Sequence, residues 1–155
     1  MPRILRTNSE NNDFIALVKQ LDADLAIRDG DDHSFYAQFN KIDTIKNVIV
    51  LYENGKAVGC GALKEFDSYT MEIKRMYTIS DKRGEGIASK ILNELECWAT
   101  ELKYSTCILE TGFKQPEAIS LYKKNGYHII SNYGQYAGIE NSVCFQKVLN
   151  SLKIS

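Results

Sequence analysis

The run Arg83-Gly84-Glu85-Gly86-Ile87-Ala88-Ser89 places two glycines just before a segment with helical apolar spacing, which indicates a turn between a strand and a helix. Glycine lets the backbone approach a ligand closely, and the N–H groups at a helix N-terminus attract anions. These residue types predict a phosphate site that suits a pyrophosphate. Ordinary turns also use glycine, so a purely structural turn is the alternative.

Two familiar phosphate motifs are missing from the sequence. The turn does not fit GxxxxGK[ST], and no GxGxxG follows a first strand with an acidic residue about 20 positions further on. A nucleoside triphosphate and NAD therefore lack their usual motifs, and we expect another phosphate carrier.

Arg83-x-x-Gly86-x-Ala88 resembles the R/Q-x-x-G-x-G/A signature of the GNAT N-acetyltransferase superfamily, and it follows a strand that contains Met76-Tyr77-Thr78. The segment from Gln115 to Tyr127 resembles the second cofactor segment of that family, with its Leu-Tyr and Gly-Tyr pairs. The similarity spans about Asn47 to Val148. It implies one N-acetyltransferase domain over residues 1–155, with a cofactor-binding core at about 47–148.

The resemblance implies acetyl-CoA as cosubstrate, without a metal or a covalent intermediate. The backbone of the turn would bind the pyrophosphate, and the bulged strand would pair with the pantetheine amides. A backbone N–H near Tyr77 or Thr78 would hold the oxyanion. Gln115 stands where many members have asparagine. The implied cofactor-binding residues are Met76, Tyr77, Thr78, Arg83, Gly84, Glu85, Gly86, Ile87, Ala88, Ser89, Gln115 and Tyr122.

Three residues become candidates for proton transfer through the same resemblance. Tyr122 matches the tyrosine that protonates the leaving sulfur, and a phenol with a pKa near 10 can donate a hydrogen bond to a developing thiolate. Glu72 and Glu110 are alternative bases for the amine, directly or through water. The structural alternatives are a core aromatic for Tyr122 and solvated or ion-paired carboxylates for the two glutamates.

Two regions are expected to select the acceptor, 29–39 and 131–142, because the family varies there. Their carboxylates and aromatics could hold a small cationic amine; the predicted substrate-binding residues are Asp31, Tyr36, Tyr133 and Tyr136. A polar turn with exposed loop tyrosines is the alternative. A small-molecule amine is the expected acceptor, with a protein N-terminus or lysine as the second hypothesis and a non-catalytic CoA-binding domain as the third.

The elements that must position these residues follow from apolar spacing. Ser9 or Asn12 is expected to cap a first helix that ends near Arg28. Asn54-Gly55 predicts a hairpin turn. In the next strand, Ile73 and Met76 lie three apart, so the alternation breaks and a β-bulge is expected. Predicted strands are 2–6, 47–53, 57–64, 70–79, 106–109, 127–130 and 142–148, and predicted helices begin at 12, 34, 86 and 116.

This order predicts an α/β protein with the GNAT fold. Its mixed, mostly antiparallel sheet would have about six to seven strands, with a bulge in the fourth and about four helices around it. Nineteen basic and twenty acidic residues do not favour nucleic acid as a partner. No segment has signal-peptide or membrane-spanning character, so a cytoplasmic protein without membrane contact is expected. Edge strands near the C-terminus are compatible with a homodimer.

Overall fold

One seven-stranded sheet organises the chain, with strand order β1-β2-β3-β4-β5-β7-β6. The structure is a computed structural model that describes residues 2–29 and 45–149. The strands are β1 (Arg3–Thr7), β2 (Asn47–Glu53), β3 (Lys56–Asp67), β4 (Thr70–Thr78), β5 (Thr106–Gly112), β6 (His128–Ile130) and β7 (Ser142–Val148). The helices are α1 (Asn12–Asp29), α2 (Ile87–Glu101) and α3 (Pro116–Lys124).

This architecture confirms the predicted fold class. Neighbouring strands run antiparallel except for β4 and β5, which run parallel. The described ranges contain three α-helices, and the fourth predicted helix, at 34–42, lies outside them. None of the helices described is both long and apolar enough to cross a membrane.

The first helix is capped by Asn11 and not by either predicted residue. Asn11 Oδ1 accepts a hydrogen bond from the N–H of Phe14 at 3.0 Å, which satisfies one of the free donors of the first turn. The hydroxyl of Ser9 instead accepts from the N–H of Ile45 at 2.9 Å, and so ties the start of the helix to the chain just before β2. Asn12 is the first helical residue.

The predicted bulge lies in β4. Cys60 pairs with Tyr77 but Ala62 pairs with Lys74, so one residue of β3, Gly61, faces two residues of β4. One of those two, Arg75, has a left-handed backbone with φ of 59°, which costs on the order of 1–2 kcal/mol for a residue with a Cβ. The bulge bends the strand just after its pairing with β5 has ended.

Strands β4 and β5 pair over only three positions, from Thr70 opposite Thr106 to Glu72 opposite Ile108. Beyond that point, the second half of β4 and the end of β5 continue without pairing to each other. A wedge-shaped opening therefore lies in the middle of the sheet. Backbone groups on the facing edges are directed into this opening.

Two glycines of β3 let α2 lie close against the sheet. A Cβ at Gly61 would stand 2.7 Å from the sulfur of Met76 and 2.9 Å from Ile91 Cγ2. A Cβ at Gly59 would stand 2.8 Å from Ile91 Cδ1. These distances are too short for carbon or sulfur atoms in contact, so a larger residue at either position would force its neighbours to shift. The close packing also fixes where α2 begins, at the glycine-rich turn.

Gly61→Val is expected to lower the free energy of unfolding by about 1–3 kcal/mol, because added atoms in a filled interface force neighbours out of place. Urea denaturation should show a lower midpoint with an unchanged m value. Lys56→Val, at the exposed start of the same strand, is the control and should change stability by less than about 0.5 kcal/mol. Equal midpoints for the two variants would contradict this packing.

Candidate functional site

A cavity of about 540 Å³ lies beside the end of β4. Its wall combines the end of β4, the glycine-rich turn, the start of α2 and one face each of α1 and α3. The predicted cofactor residues that line it are Met76, Tyr77, Thr78, Arg83, Gly84, Gly86, Ile87, Ala88, Ser89, Gln115 and Tyr122. Glu85, also predicted, is exposed and is not among the lining residues.

The glycine-rich turn has the backbone geometry of an anion cradle. Gly84 and Gly86 both have φ of 84°, and a Cβ built on either would meet no atom of the described residues within 4 Å. Gly86 is the N-cap of α2. The first N–H groups of that helix therefore have no hydrogen-bond acceptor within the helix. Such N–H groups, together with the helix dipole, favour a phosphate or another anion.

Thr78 contributes a second feature of the same cavity. Its side-chain oxygen is buried and has no hydrogen-bond partner among the described residues. Leaving a buried hydroxyl unsatisfied costs about 1–3 kcal/mol. A ligand with amide groups in the cavity could satisfy this oxygen and also pair with the unpaired edge of β4, like an added strand.

Arg83 holds the turn in place. Its Nε donates to the backbone oxygen of Thr78 at 2.9 Å, and its Nη2 donates to Asp24 of α1 at 3.0 Å. The guanidinium also lies over the ring of Tyr77, 5.4 Å from the centroid. The side chain thus joins β4, α1 and the turn, which is a positioning role in addition to the predicted contact with a ligand.

A smaller cavity of about 120 Å³ adjoins the larger one. Met76, Gln115 and Tyr122 line both, so the two spaces meet at these residues. Charged side chains mark the smaller cavity: Glu72, Lys74, Arg75 and Glu110 line it. Both predicted bases and the predicted acid are therefore brought together.

Tyr122 is both a core residue and a cavity residue. Its ring packs against Tyr127 and Phe145, with centroid distances of 5.9 and 5.8 Å. Burial raises the pKa of the Tyr122 phenol above its usual value, and the negative charge of Glu110 raises it further. The phenol is accordingly protonated at neutral pH and can donate a hydrogen bond.

Glu72 is held by a tyrosine from the loop between β6 and β7. The hydroxyl of Tyr133 donates to Glu72 Oε2 at 2.7 Å. Rings of Phe66 and Tyr136 pack edge-on against Tyr133, at centroid distances of 5.3 and 5.8 Å. Tyr133 therefore lies behind Glu72, outside the lining of the smaller cavity, whereas Tyr136 lines it and is only 3% exposed. Two other predicted substrate residues, Asp31 and Tyr36, fall outside the described residues.

The family follows from the sequence together with this geometry. Residues 44–129, more than half of the chain, match the sequence model of the acetyltransferase (GNAT) domain. This chain belongs to the GNAT acetyltransferase family. The bulge, the glycine-rich turn and the opening between β4 and β5 all lie within these matched residues.

Similar proteins agree with the assignment to the GNAT family. An IAA acetyltransferase of Azospirillum brasilense is 32% identical over 102 residues, which are 65% of this chain and 67% of that protein. A solved structure from Klebsiella pneumoniae, assigned as an acyl-CoA N-acyltransferase, is 29% identical with a TM-score of 0.81, and the match covers 97% of this chain and 99% of that one. PaiA N-acetyltransferase of Thermoplasma acidophilum, solved with coenzyme A, has a TM-score of 0.71 at 16% identity over 96% of this chain and 99% of that one.

Sequence reasoning missed several residues of this GNAT site. Lys74 and Arg75 line the smaller cavity, and Leu21, Asp24 and Leu25 of α1 line the larger one. Strand alternation could have found Lys74, because it lies two positions after Glu72 and before the bulge. No local signal marks the residues of α1, which reach the site only through packing.

Proposed function

We propose that this GNAT protein transfers an acetyl group from acetyl-CoA to the primary amine of a small molecule. The observation that carries the proposal is the junction of two cavities at Tyr122, one large with an anion cradle and one small with carboxylates. The Thermoplasma acidophilum structure with coenzyme A supports CoA chemistry in this fold. A space of about 120 Å³ favours a small acceptor over a polypeptide.

Each part of acetyl-CoA has a matching part of the proposed site. N–H groups at Gly86 and the first turn of α2 would face the pyrophosphate, and the edge of β4 would pair with the pantetheine amides. Acetyl-CoA, when bound, supplies the thioester that the amine attacks and the thiolate that departs. A backbone N–H at Tyr77 or Thr78 would donate to the thioester oxygen as negative charge builds on it.

Tyr122 acts on the leaving sulfur. Its raised pKa makes complete proton transfer to a thiolate unfavourable, since a thiol ordinarily has a pKa near 8.5. A hydrogen bond from the phenol to the sulfur, strengthening as the carbon–sulfur bond breaks, is the easier role. This contact lowers the barrier without requiring a phenolate.

Glu110 is the carboxylate that we assign as the base, and Glu72 is the alternative. Burial is the main cause of the raised pKa of Tyr122, and among the described residues the charge of Glu110 adds to it, so this carboxylate lies towards the acid. For Tyr136 also, burial comes first, and Glu110 raises the pKa more than Glu72 does. Glu72 is engaged by Tyr133. An amine close to both Tyr122 and Glu110 could lose its proton to the glutamate.

Glu110→Gln is expected to lower kcat/KM at least about tenfold near neutral pH, where the acceptor amine is protonated and needs a base. The loss should shrink as the pH approaches about 10, where a free amine exists without help. Glu72→Gln is the matched comparison, and the dependence of kcat/KM on pH can be measured for both variants by CoA release. A larger, pH-dependent loss in Glu72→Gln would move the base to Glu72.

The proposed activity is tested by the release of free CoA from acetyl-CoA, followed with a thiol reagent. The acceptors are a panel of small primary amines and a matched panel of short peptides with free N-termini or lysine. Release above the no-acceptor blank with a small amine, and a product heavier by one acetyl group, are expected. Release with peptides alone would contradict the small-molecule acceptor.

A further inference from the structure

The smaller cavity carries charges of both signs on one face of the sheet. Glu72 and Lys74 lie two positions apart in β4, before the bulge, so their side chains leave the same face. The register of β3 and β4 supports this orientation. Glu72 pairs with Lys64 and Lys74 pairs with Ala62, and these two partners are themselves two positions apart in β3, on one face of the sheet. Arg75 follows directly in the bulge, and Glu110 closes the cavity from β5.

Charges of both signs act on Lys74. Burial is the main cause that lowers the pKa of Lys74, and the charges of Arg75 and Lys64 lower it further. Glu72 and Glu110 act in the opposite direction. Among the described residues, two cations and two carboxylates thus act on Lys74, and Glu72 has the largest effect of these four charges. An anionic group entering this cluster would stabilise the desolvated ammonium.

The rest of the wall limits what can enter. Leu21 and Leu25 of α1 and Ala118 of α3 give it an apolar side. The space is small, about 120 Å³, and it meets the larger cavity at Tyr122. A ligand must therefore be compact and must place its reactive amine towards Tyr122 and Glu110.

We infer that the acceptor is a small aminocarboxylate, in which the amine that is acetylated lies a few bonds from a carboxylate bound by Lys74. The inference rests on the proposed function, since it names the acceptor class of the same site. Arg75 adds to the positive potential at the carboxylate end, and Glu110 faces the amine end. A diamine would place its second ammonium against these cations, and an uncharged amide would leave them without an incoming anion.

The experiment compares acceptors of the same shape and different charge. Glycine, γ-aminobutyrate and phenylalanine are each assayed against their own carboxamides, and putrescine is assayed beside γ-aminobutyrate. For at least one pair, kcat/KM of the acid should exceed that of the amide at least about tenfold, as expected for one charge-assisted contact. An amide or a diamine that is as good as the acid throughout would overturn the inference.

Lys74 is tested in the same assay through the ratio of acid to amide. Lys74→Met should bring that ratio close to one, and Lys74→Arg should keep most of it. Lys56→Met, which removes an exposed lysine at the start of β3, should leave the ratio unchanged. A ratio that survives in Lys74→Met at its full value would remove this lysine as the carboxylate site.

A second measurement separates this inference from the proposed function. The acid and the amide of the pair are titrated calorimetrically into the CoA-bound protein, which reads the charge preference without turnover. Tighter binding of the acid without any CoA release would support the aminocarboxylate site and remove the acetyl transfer. Equal binding of acid and amide, with or without CoA release, would overturn the aminocarboxylate site.

Discussion

Gly86→Glu is expected to weaken acetyl-CoA binding at least about 100-fold, equivalent to about 2.8 kcal/mol. Gly86 caps α2 with φ of 84°, and a Cβ there would meet nothing within 4 Å in the part of the chain that the structure describes. The new side chain would be strained by the positive φ but would meet no steric clash with the described residues, and its carboxylate would occupy the cradle and repel the phosphates. Isothermal titration calorimetry with acetyl-CoA measures the loss.

Gly55→Glu is the matched control for this variant. Gly55 lies in the turn between β2 and β3, with φ of 79° and open space around a built Cβ. It therefore carries similar backbone strain and the same added charge, away from the cavity. Gly55→Glu should bind acetyl-CoA like the original protein. Equal affinity of both variants would show that the turn at Gly86 does not hold the phosphates.

Tyr122→Phe is expected to lower kcat about 100-fold, the lower end of the range for losing one hydrogen-bond donor to the transition state. The change keeps the ring and hence its packing against Tyr127 and Phe145. Only the hydroxyl at the junction of the two cavities is removed. The affinity for acetyl-CoA should stay nearly the same, since the turn and the edge of β4 are untouched. Steady-state kinetics and calorimetry on the same preparation read both quantities.

Tyr127→Phe is the matched control, because it removes a neighbouring buried hydroxyl that faces away from the cavities. That hydroxyl donates to Glu96 at 2.9 Å. The variant should lose stability by about 1.5–3 kcal/mol, the value of a hydrogen bond to a charged group, and should keep its kcat. Full activity of Tyr122→Phe would exclude the phenol as the donor to sulfur.

The pH dependence gives a further check on Tyr122. The phenol must be protonated to act, and its pKa is raised by burial and by Glu110. The phenol is therefore expected to lose its proton, and with it the ability to donate a hydrogen bond, only above a pH of about 10, the usual pKa of a phenol. A fall in kcat centred below that pH, present in the original protein and absent in Tyr122→Phe, would contradict the raised pKa.

The turn and the bulge beside the larger cavity could be predicted because their signals are local. The glycine pair at 84 and 86 needs a positive φ, and the spacing of Ile73 and Met76 indicates the bulge. Both features depend on residues close together in the chain. Motif spacing then placed Tyr122 on α3, where it lines both cavities.

The acceptor side could not be predicted to the same depth because its contacts are long-range. Tyr133 was expected to bind substrate, yet its hydroxyl meets Glu72, 61 positions earlier in the chain. Asp24 meets Arg83 across 59 positions. Such pairs arise from how α1 and the β6–β7 loop pack on the sheet, and neither periodicity nor motif encodes them.

Isothermal titration calorimetry of the original protein with acetyl-CoA tests the central claim most directly. The wedge between β4 and β5, the glycine cradle and the buried hydroxyl of Thr78 predict saturable binding with one molecule per chain. Binding of that stoichiometry would establish the cavity as the cofactor site. No heat of binding at millimolar acetyl-CoA would mean that the turn is only structural and that the proposed transfer is wrong.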